Sequence, residues 1–160
     1  MPRLLKWIIL ALLAIALTAC GSTRQSMFPP TLSVQQLRVQ PDGHWHMQVR
    51  ILNNSYGSMS FRRLELIMHI DNQPAARIDA RFKLGIPALS ADTTNVDITP
   101  SAAAQAALAA IASQGSNGTL AYSLTGTATA IPGGRGKPRQ FPVKSNDWLS
   151  AVPGVANTYR

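Results

Sequence analysis

Apolar and polar side chains alternate without interruption between residues 45 and 51. The apolar members of this series are Trp45, Met47, Val49 and Ile51. Because successive side chains of a β-strand point to opposite faces, a period of two predicts a strand with one buried and one solvated face. Such a strand must pack its apolar face against a second layer, so the series favours a layered β fold.

Six further segments have strand patterns and are separated by turn residues. They cover residues 32–40, 61–70, 76–83, 94–98 and 119–131, and a last strand starts at Phe141. The alternation in the first of them slips between Val34 and Leu37, which predicts a β-bulge. Gly126 predicts a second bulge, because a glycine inside a strand often marks one.

One segment has helical rather than strand character. Thr99 is a suitable cap and Pro100 suits a first helical position, so we expect an alanine-rich helix over residues 101–113, closed by Gly115. Its only large apolar residues are Leu108 and Ile111. Such a helix either packs thinly and leaves a groove for an acyl chain, or docks tightly through its small side chains.

Seven short strands and one late α-helix predict a mainly β protein, either a sandwich or a barrel. A chain of 160 residues fits one domain with a substantial core. Apolar residues make up 46% of the chain and charged residues 14%, which excludes a typical charge-rich disordered protein.

The N-terminal residues have the composition of a targeting segment. Arg3 and Lys6 precede an unbroken run of eleven apolar residues, 7–17. A membrane-spanning helix needs about 20 apolar residues, so this run is too short for a permanent span. A basic start, a short apolar stretch and small residues after it predict a secretory signal peptide over residues 1–19.

Leu17-Thr18-Ala19-Cys20 resembles the bacterial lipobox at all four positions. The resemblance implies diacylation of the Cys20 sulfur and signal cleavage between Ala19 and Cys20. Two or three acyl chains hold a protein at a membrane far more firmly than one. Gly21 follows the cysteine, which by the sorting rule of enterobacterial lipoproteins implies the outer membrane, facing the periplasm. The alternative is an ordinary signal peptide with an incidental cysteine.

The predicted organisation has four parts. Residues 1–19 form the signal peptide, residues 20–31 a lipidated tether, residues 32–147 the β domain and residues 148–160 a C-terminal tail. The covalent lipid on Cys20 is the only non-protein group that we expect.

The order of several short motifs resembles the type 2 late-embryogenesis-abundant (LEA type 2) family, also called the water stress and hypersensitive response (WHy) domain. The motifs are Leu32 to Leu37 after a proline pair, Asn53-Asn54, Ile86-Pro87-Ala88, and Leu120 to Gly126 followed by Phe141-Pro142. The resemblance implies an immunoglobulin/fibronectin III-like β-sandwich with a helix between late strands. It also implies a role in desiccation and stress tolerance, and it brings no catalytic residues.

The chain is basic, with 15 Lys and Arg residues against 7 Asp and Glu residues and a net charge of +8. Four cations lie close in sequence around a glycine-rich loop: Arg135, Lys137, Arg139 and Lys144. We expect them to contact an anionic surface of the envelope, such as lipid head groups or an acidic polymer, unless they are merely solvated. Nucleic acid is not an expected partner in the periplasm.

Residues capable of catalysis or metal binding form no known pattern. The sequence contains no nucleophile elbow, Walker loop or dinucleotide fingerprint. His44 and His46 share one face of a strand and could bind a metal together with His69 or Asp42, but two solvent-facing histidines fit the same pattern. We therefore expect no catalytic site and no metal.

Together these features predict a non-enzymatic outer-membrane lipoprotein with a LEA type 2-like domain, acting in stress protection or envelope maintenance. Two alternatives stay open. The domain could bind a lipid or another hydrophobic ligand between its strands and its helix. It could also be a subunit of an envelope assembly that docks through an exposed strand edge on another envelope protein.

Overall fold

The computed structural model describes residues 26–114 and 118–160. The predicted signal peptide, the lipobox with Cys20, and Gly115 lie outside the described residues. The described chain forms eight strands and one helix. In chain order these are β1 (Thr31–Val39), β2 (Trp45–Leu52), β3 (Met59–Ile70), β4 (Gln73–Ile86), β5 (Ala91–Ile98), α1 (Ala102–Ser113), β6 (Thr119–Pro132), β7 (Arg139–Ser150) and β8 (Thr158–Tyr159).

The strands form two antiparallel sheets of four strands each. The first sheet has the order β5-β2-β1-β8 and the second the order β4-β3-β6-β7. The prediction of a mainly β sandwich with one late helix is confirmed, because α1 connects β5 to β6. The described chain has eight strands rather than seven, and the additional strand, β8, has only two residues and is too short to show periodicity.

The alternation of residues 45–51 places β2 in the core as predicted. Trp45, Met47, Val49 and Ile51 are all fully buried. Across the core, β3 contributes its own buried series, which includes Phe61, Leu64, Leu66 and Met68. Side chains from the inner faces of two such sheets fill a layer about 10 Å thick, which is why strict alternation in sequence specifies the sandwich.

The predicted bulge in β1 is confirmed, because the register with β2 shifts between Val34 and Gln36. A contact between the sheets fixes the irregularity: the Val34 backbone N–H donates to the Tyr122 hydroxyl, 2.7 Å away on β6. A second contact of this kind joins the Leu32 N–H to the Ser145 hydroxyl on β7 at 3.3 Å. These bonds satisfy buried backbone groups that the ladder leaves unpaired.

The predicted bulge at Gly126 is wrong. β6 pairs with β3 and β7 in continuous register through this residue, and the only shift between β3 and β6 lies between Phe61 and Arg63. Gly126 instead has φ of +147°, and a Cβ there would lie 2.2 Å from the backbone oxygen of Glu65. The backbones of β6 and β3 approach each other so closely at this position that only glycine fits without a clash.

The cap of the helix lies two residues later than predicted, at Ser101 instead of Thr99, and the helix begins at Ala102. Ser101 is the cap, and its hydroxyl accepts a hydrogen bond from the Ala104 N–H at 3.2 Å. Thr99 is engaged elsewhere, because its hydroxyl lies 3.1 Å from the Nδ1 atom of His44. A helix of twelve residues is too short to cross a bilayer, and the described residues contain no helix that could do so.

The strands of the sandwich extend beyond residues 32–147 at both ends. Thr31 already belongs to β1, and β7 continues past residue 147 to Ser150. Thr158 and Tyr159 then pair with β1, so both ends of the segment 148–160 belong to the sandwich. The turn at residues 151–157 interrupts the pattern and hides this return from the sequence.

The loops gather at two opposite ends of the sandwich. The end where the chain enters β1, here called the entry end, consists of residues 26–30, 53–58, 87–90 and 133–138. Backbone hydrogen bonds join these segments: Tyr56 N to Ser26 O at 3.2 Å, Leu89 N to Ser55 O at 3.2 Å, and Gly133 N to Ser58 O at 2.7 Å. The other end, here called the helix end, holds α1 and the β3–β4 turn.

Candidate functional site

The four predicted anion-contacting residues do not form one cluster. Arg135 and Lys137 are exposed in the β6–β7 loop at the entry end. Arg139 instead lies over the ring of Phe141, with its guanidinium carbon 5.6 Å from the ring centre. Lys144 is on the opposite face of β7, about 17 Å further along the strand at about 3.4 Å per residue. Arg135 and Lys137 therefore share the entry-end loop, Arg139 lies at its edge, and Lys144 lies away from it.

Exposed apolar side chains surround the same end. Phe28, Tyr56 and Leu89 are 44%, 62% and 61% exposed, and they come from three of the four entry-end segments. The rings of Phe28 and Tyr56 pack edge to face, with their centres 6.1 Å apart. Leu89 has a positive φ of 53°, which is unusual for a leucine. A group of exposed large apolar residues on a small domain marks an interaction surface.

A buried asparagine organises this end. The Asn53 side chain is fully buried, and its amide donates to the backbone oxygens of Gly57 at 2.9 Å, Ile86 at 3.2 Å and Pro87 at 2.8 Å. Its Oδ1 atom accepts a hydrogen bond from the Ser55 N–H at 3.0 Å. One side chain thus joins the β2–β3 loop to the β4–β5 loop, and the Asn53-Asn54 motif of the sequence acquires a structural role.

Residues 26–30, which precede β1, are held in place by Asn54 and Ser55 of the β2–β3 loop. Ser55 Oγ accepts from the Phe28 N–H at 2.8 Å and donates to the Phe28 carbonyl at 3.2 Å. The Asn54 amide donates to the Pro29 carbonyl at 2.9 Å. Residues 26–30 are therefore bonded to the domain.

The charge of the entry end is positive. Its four segments contain Arg135 and Lys137 and no Asp or Glu, and Asp92 lies just beyond them in β5. Sequence reasoning identified these two cations and missed the apolar residues beside them. Isolated aromatic and aliphatic residues in loops have no periodicity, so their convergence is visible only in three dimensions.

Further basic residues lie on the exposed face of the second sheet, where carboxylates offset their charge. Arg63 binds Asp79 through two hydrogen bonds of 2.8 Å and contacts Glu65 at 3.1 Å. The hydrogen bond from Arg63 lowers the pKa of Asp79. This face is consequently mixed in charge along β4, which presents Arg77, Asp79, Arg81 and Lys83.

The histidines considered as metal ligands have separate partners. His44 contacts Thr99, as described above, and the Nδ1 atom of His46 lies 2.7 Å from the Asp97 carboxylate. Within residues 26–114 and 118–160, no three His, Cys, Asp or Glu side chains are grouped as metal ligands.

Two small clefts lie between the helix and the strands that it covers. One, between α1 and the start of β4, has a volume of about 170 Å³ and includes Ala75 and Ala104 in its lining. The other, on the opposite side of α1, has a volume of about 220 Å³ and is lined in part by Trp45, Gln105 and Tyr159. Both are below the range of about 300–1,000 Å³ that is typical of small-molecule sites.

Comparisons with known proteins identify no family. No protein-family model matches this chain, and no curated protein matches it. The chain is similar to a solution structure from Arabidopsis thaliana, with 13% identity, a TM-score of 0.48 and coverage of 87% of each chain. It is also similar to a crystal structure of a protein from Archaeoglobus fulgidus, with 10% identity, a TM-score of 0.42 and coverage of 79% of this chain and 98% of that one. Identities this low carry no information on ligand or activity.

Proposed function

We propose that this chain is a non-enzymatic lipoprotein of the bacterial outer membrane, anchored through Cys20 and facing the periplasm. Its LEA type 2-like sandwich acts in stress or desiccation protection or in envelope maintenance. The observation that carries this proposal is the chemistry of the entry end, where apolar side chains and cations surround the point at which the chain enters the domain.

The covalent connection keeps this end close to the anchor. Residues 21–30 separate Cys20 from β1, and ten residues reach at most about 35 Å when fully extended. Residues 26–30 are bonded to the domain, so the remaining linker reaches only about 18 Å. An acylated Cys20 would therefore hold the entry end against the membrane and direct the helix end away from it.

The side chains at this end suit a bilayer surface. Aromatic residues such as Phe28 and Tyr56 favour the interface between head groups and acyl chains. Arg135 and Lys137 would each gain about 1 kcal/mol beside anionic head groups, an attraction that salt weakens. Neither contact alone would hold the protein, but both would orient a domain that acyl chains already retain.

Replacing Cys20 with serine tests the anchor. We expect the wild-type protein to incorporate radioactive palmitate and to be cleaved, and the Cys20→Ser variant to remain unlabelled and uncleaved. Tyr56→Ala serves as the control and should be labelled normally, because it changes only the surface of the domain. Normal maturation of the Cys20→Ser variant would refute the lipobox assignment.

Hydrogen exchange tests the orientation. In vesicles of phosphatidylethanolamine and phosphatidylglycerol, residues 53–58 and 87–90 should exchange more slowly than in detergent without anionic lipid, whereas the β3–β4 turn should be unchanged. Arg135→Glu combined with Lys137→Glu should reduce this protection. Equal protection at both ends of the sandwich would contradict membrane contact by the entry end.

A gene deletion tests the physiological role separately. We expect deletion cells to survive drying or osmotic shock less well, and the wild-type gene to restore survival where the Cys20→Ser gene does not. Unchanged survival and envelope integrity would remove the stress role and leave the anchoring result intact.

A further inference from the structure

A polar cleft opens on the exposed face of the second sheet, at the helix end. Its volume is about 310 Å³, within the range typical of small-ligand sites. The residues that form it include His69, Asp71, Ala121, Ser123, Asn146 and Trp148. The cleft belongs neither to the entry end nor to the small clefts beside the helix.

The strand register explains its shape. β6 supplies the floor with two small residues, Ala121 and Ser123. On one side these residues pair with Trp148 and Asn146 of β7. On the other side Ser123 pairs with His69 of β3, and the Asp71 N–H just beyond β3 donates to the Ala121 carbonyl at 3.3 Å. Neighbouring strands are about 4.8 Å apart, so larger side chains border a trough about 10 Å wide.

Trp148 forms an exposed aromatic wall of this trough. Its side chain is 63% exposed, whereas the next residue, Leu149, is fully buried. Since alternate residues face opposite sides of a strand, the burial of Leu149 holds the indole of Trp148 outside the core. Tryptophan is on average highly buried, and a large exposed aromatic beside a cleft marks a contact surface.

The other lining groups are hydrogen-bonding groups without a strong positive charge. Ser123 and Asn146 can each donate and accept, and Asp71 accepts through its carboxylate. Asp147 also lines the cleft, and its Oδ1 atom accepts the Trp148 N–H at 2.9 Å. Two carboxylates disfavour phosphate and other anions, and the polar side chains that line the cleft disfavour an acyl chain.

We propose that this cleft binds a saccharide, specifically one or two rings of a neutral glycan chain. A sugar ring has an apolar face of C–H groups and a rim of hydroxyls, and these match an indole beside amide, hydroxyl and carboxylate groups. The ring would stack on Trp148 while its hydroxyls bond to Asn146, Ser123 and Asp71. Saccharide binding here requires no acyl chain on Cys20, so it can succeed or fail independently of the anchor.

Isothermal titration calorimetry on the full-length protein in detergent micelles tests this assignment. The probes are the tetrasaccharides of N-acetylglucosamine and of β-1,4-linked glucose, both of which are uncharged. We expect at least one of them to bind, and Trp148→Ala to weaken that binding by about tenfold or more. Trp148→Phe should lose less, because a smaller aromatic platform remains.

Tyr56→Ala is the matched control, since it removes an equally exposed aromatic ring at the opposite end, and it should bind as the wild type does. Circular dichroism tests whether each variant is folded. If Trp148→Ala does not fold, Asn146→Ala takes its place, and it should also bind the tetrasaccharide more weakly than the wild type does. Absence of binding by both tetrasaccharides up to their solubility limit would overturn the proposal. Binding that is unchanged in the cleft variant would overturn it equally.

Discussion

Replacing Asn53 with alanine should destabilise the sandwich through the loss of one buried polar group. The amide of Asn53 faces three carbonyl oxygens and has only two N–H groups, so one of these bonds is shared between two acceptors. With the bond accepted from Ser55, the side chain makes the equivalent of three hydrogen bonds. At about 1 kcal/mol net for each, we expect a loss of about 3–4 kcal/mol in the free energy of unfolding.

Urea denaturation followed by circular dichroism measures this loss. Asn54→Ala is the matched control, because Asn54 has the same chemistry but is more accessible to solvent, and it bonds only to Pro29 and Thr31. Water can replace these partners, so the control should lose about 1 kcal/mol or less. Hydrogen exchange should also show that residues 53–58 and 87–90 lose protection together in the Asn53 variant.

Two results would refute this reasoning. A loss below about 1 kcal/mol for Asn53→Ala would mean that water reaches the four backbone groups and that the site is not sealed. Equal losses for the two asparagine variants would mean that burial does not distinguish them.

Three further predictions concern the strands. Gly126→Ala should cost about 3 kcal/mol or more in the same assay, because the new methyl group would collide with the backbone of β3. Tyr122→Phe should cost about 1–3 kcal/mol by leaving the buried Val34 N–H unpaired. In the wild type, burial raises the pKa of Tyr122 to about 12 and also raises the pKa of Tyr159, so ultraviolet titration should find two phenols that ionise late, and Tyr122→Phe should remove one of them. The stability due to the Tyr122 phenol should be lost as the pH rises through its folded-state pKa. NMR titration should give Asp79 a pKa below its usual range, and Arg63→Met should raise that pKa. Because the folded-state pKa is lowered, the ion pair stabilises the protein at higher pH. This contribution disappears as the pH falls through the folded-state pKa.

The fold was largely predictable because alternation is a local property. Several strands of the core carry a period-two series, and the buried set of β2 matches its series at every position. The bulge in β1 could also be predicted, because the alternation of apolar and polar residues slips between Val34 and Leu37.

Features that depend on distant segments could not be predicted. β8 pairs two residues with a strand formed more than a hundred residues earlier, and nothing local marks it. Gly126 is determined by the backbone of β3 rather than by its own neighbours. The helix is capped by Ser101, whereas Thr99 contacts His44 from a distant turn.

The residues of the candidate surfaces could be predicted only where they lie close together in the sequence. Arg135 and Lys137 could be identified from sequence because they lie close together in one loop. Phe28, Tyr56 and Leu89 come from three separate segments, so their proximity results from the topology. Trp148 fell within the predicted tail, and its role as a wall became visible only when β7 was found to extend to Ser150.

The continuous strand β6 also sets a distance. The stretch from Ala121 to Pro132 spans about 37 Å, since a strand rises about 3.4 Å per residue. If the entry end lies against the membrane as proposed, the sheet would hold the tryptophan trough at a fixed distance from the lipid. Polymers at that distance would be within reach, and the number of residues in the β6–β7 hairpin would decide which layer the trough contacts.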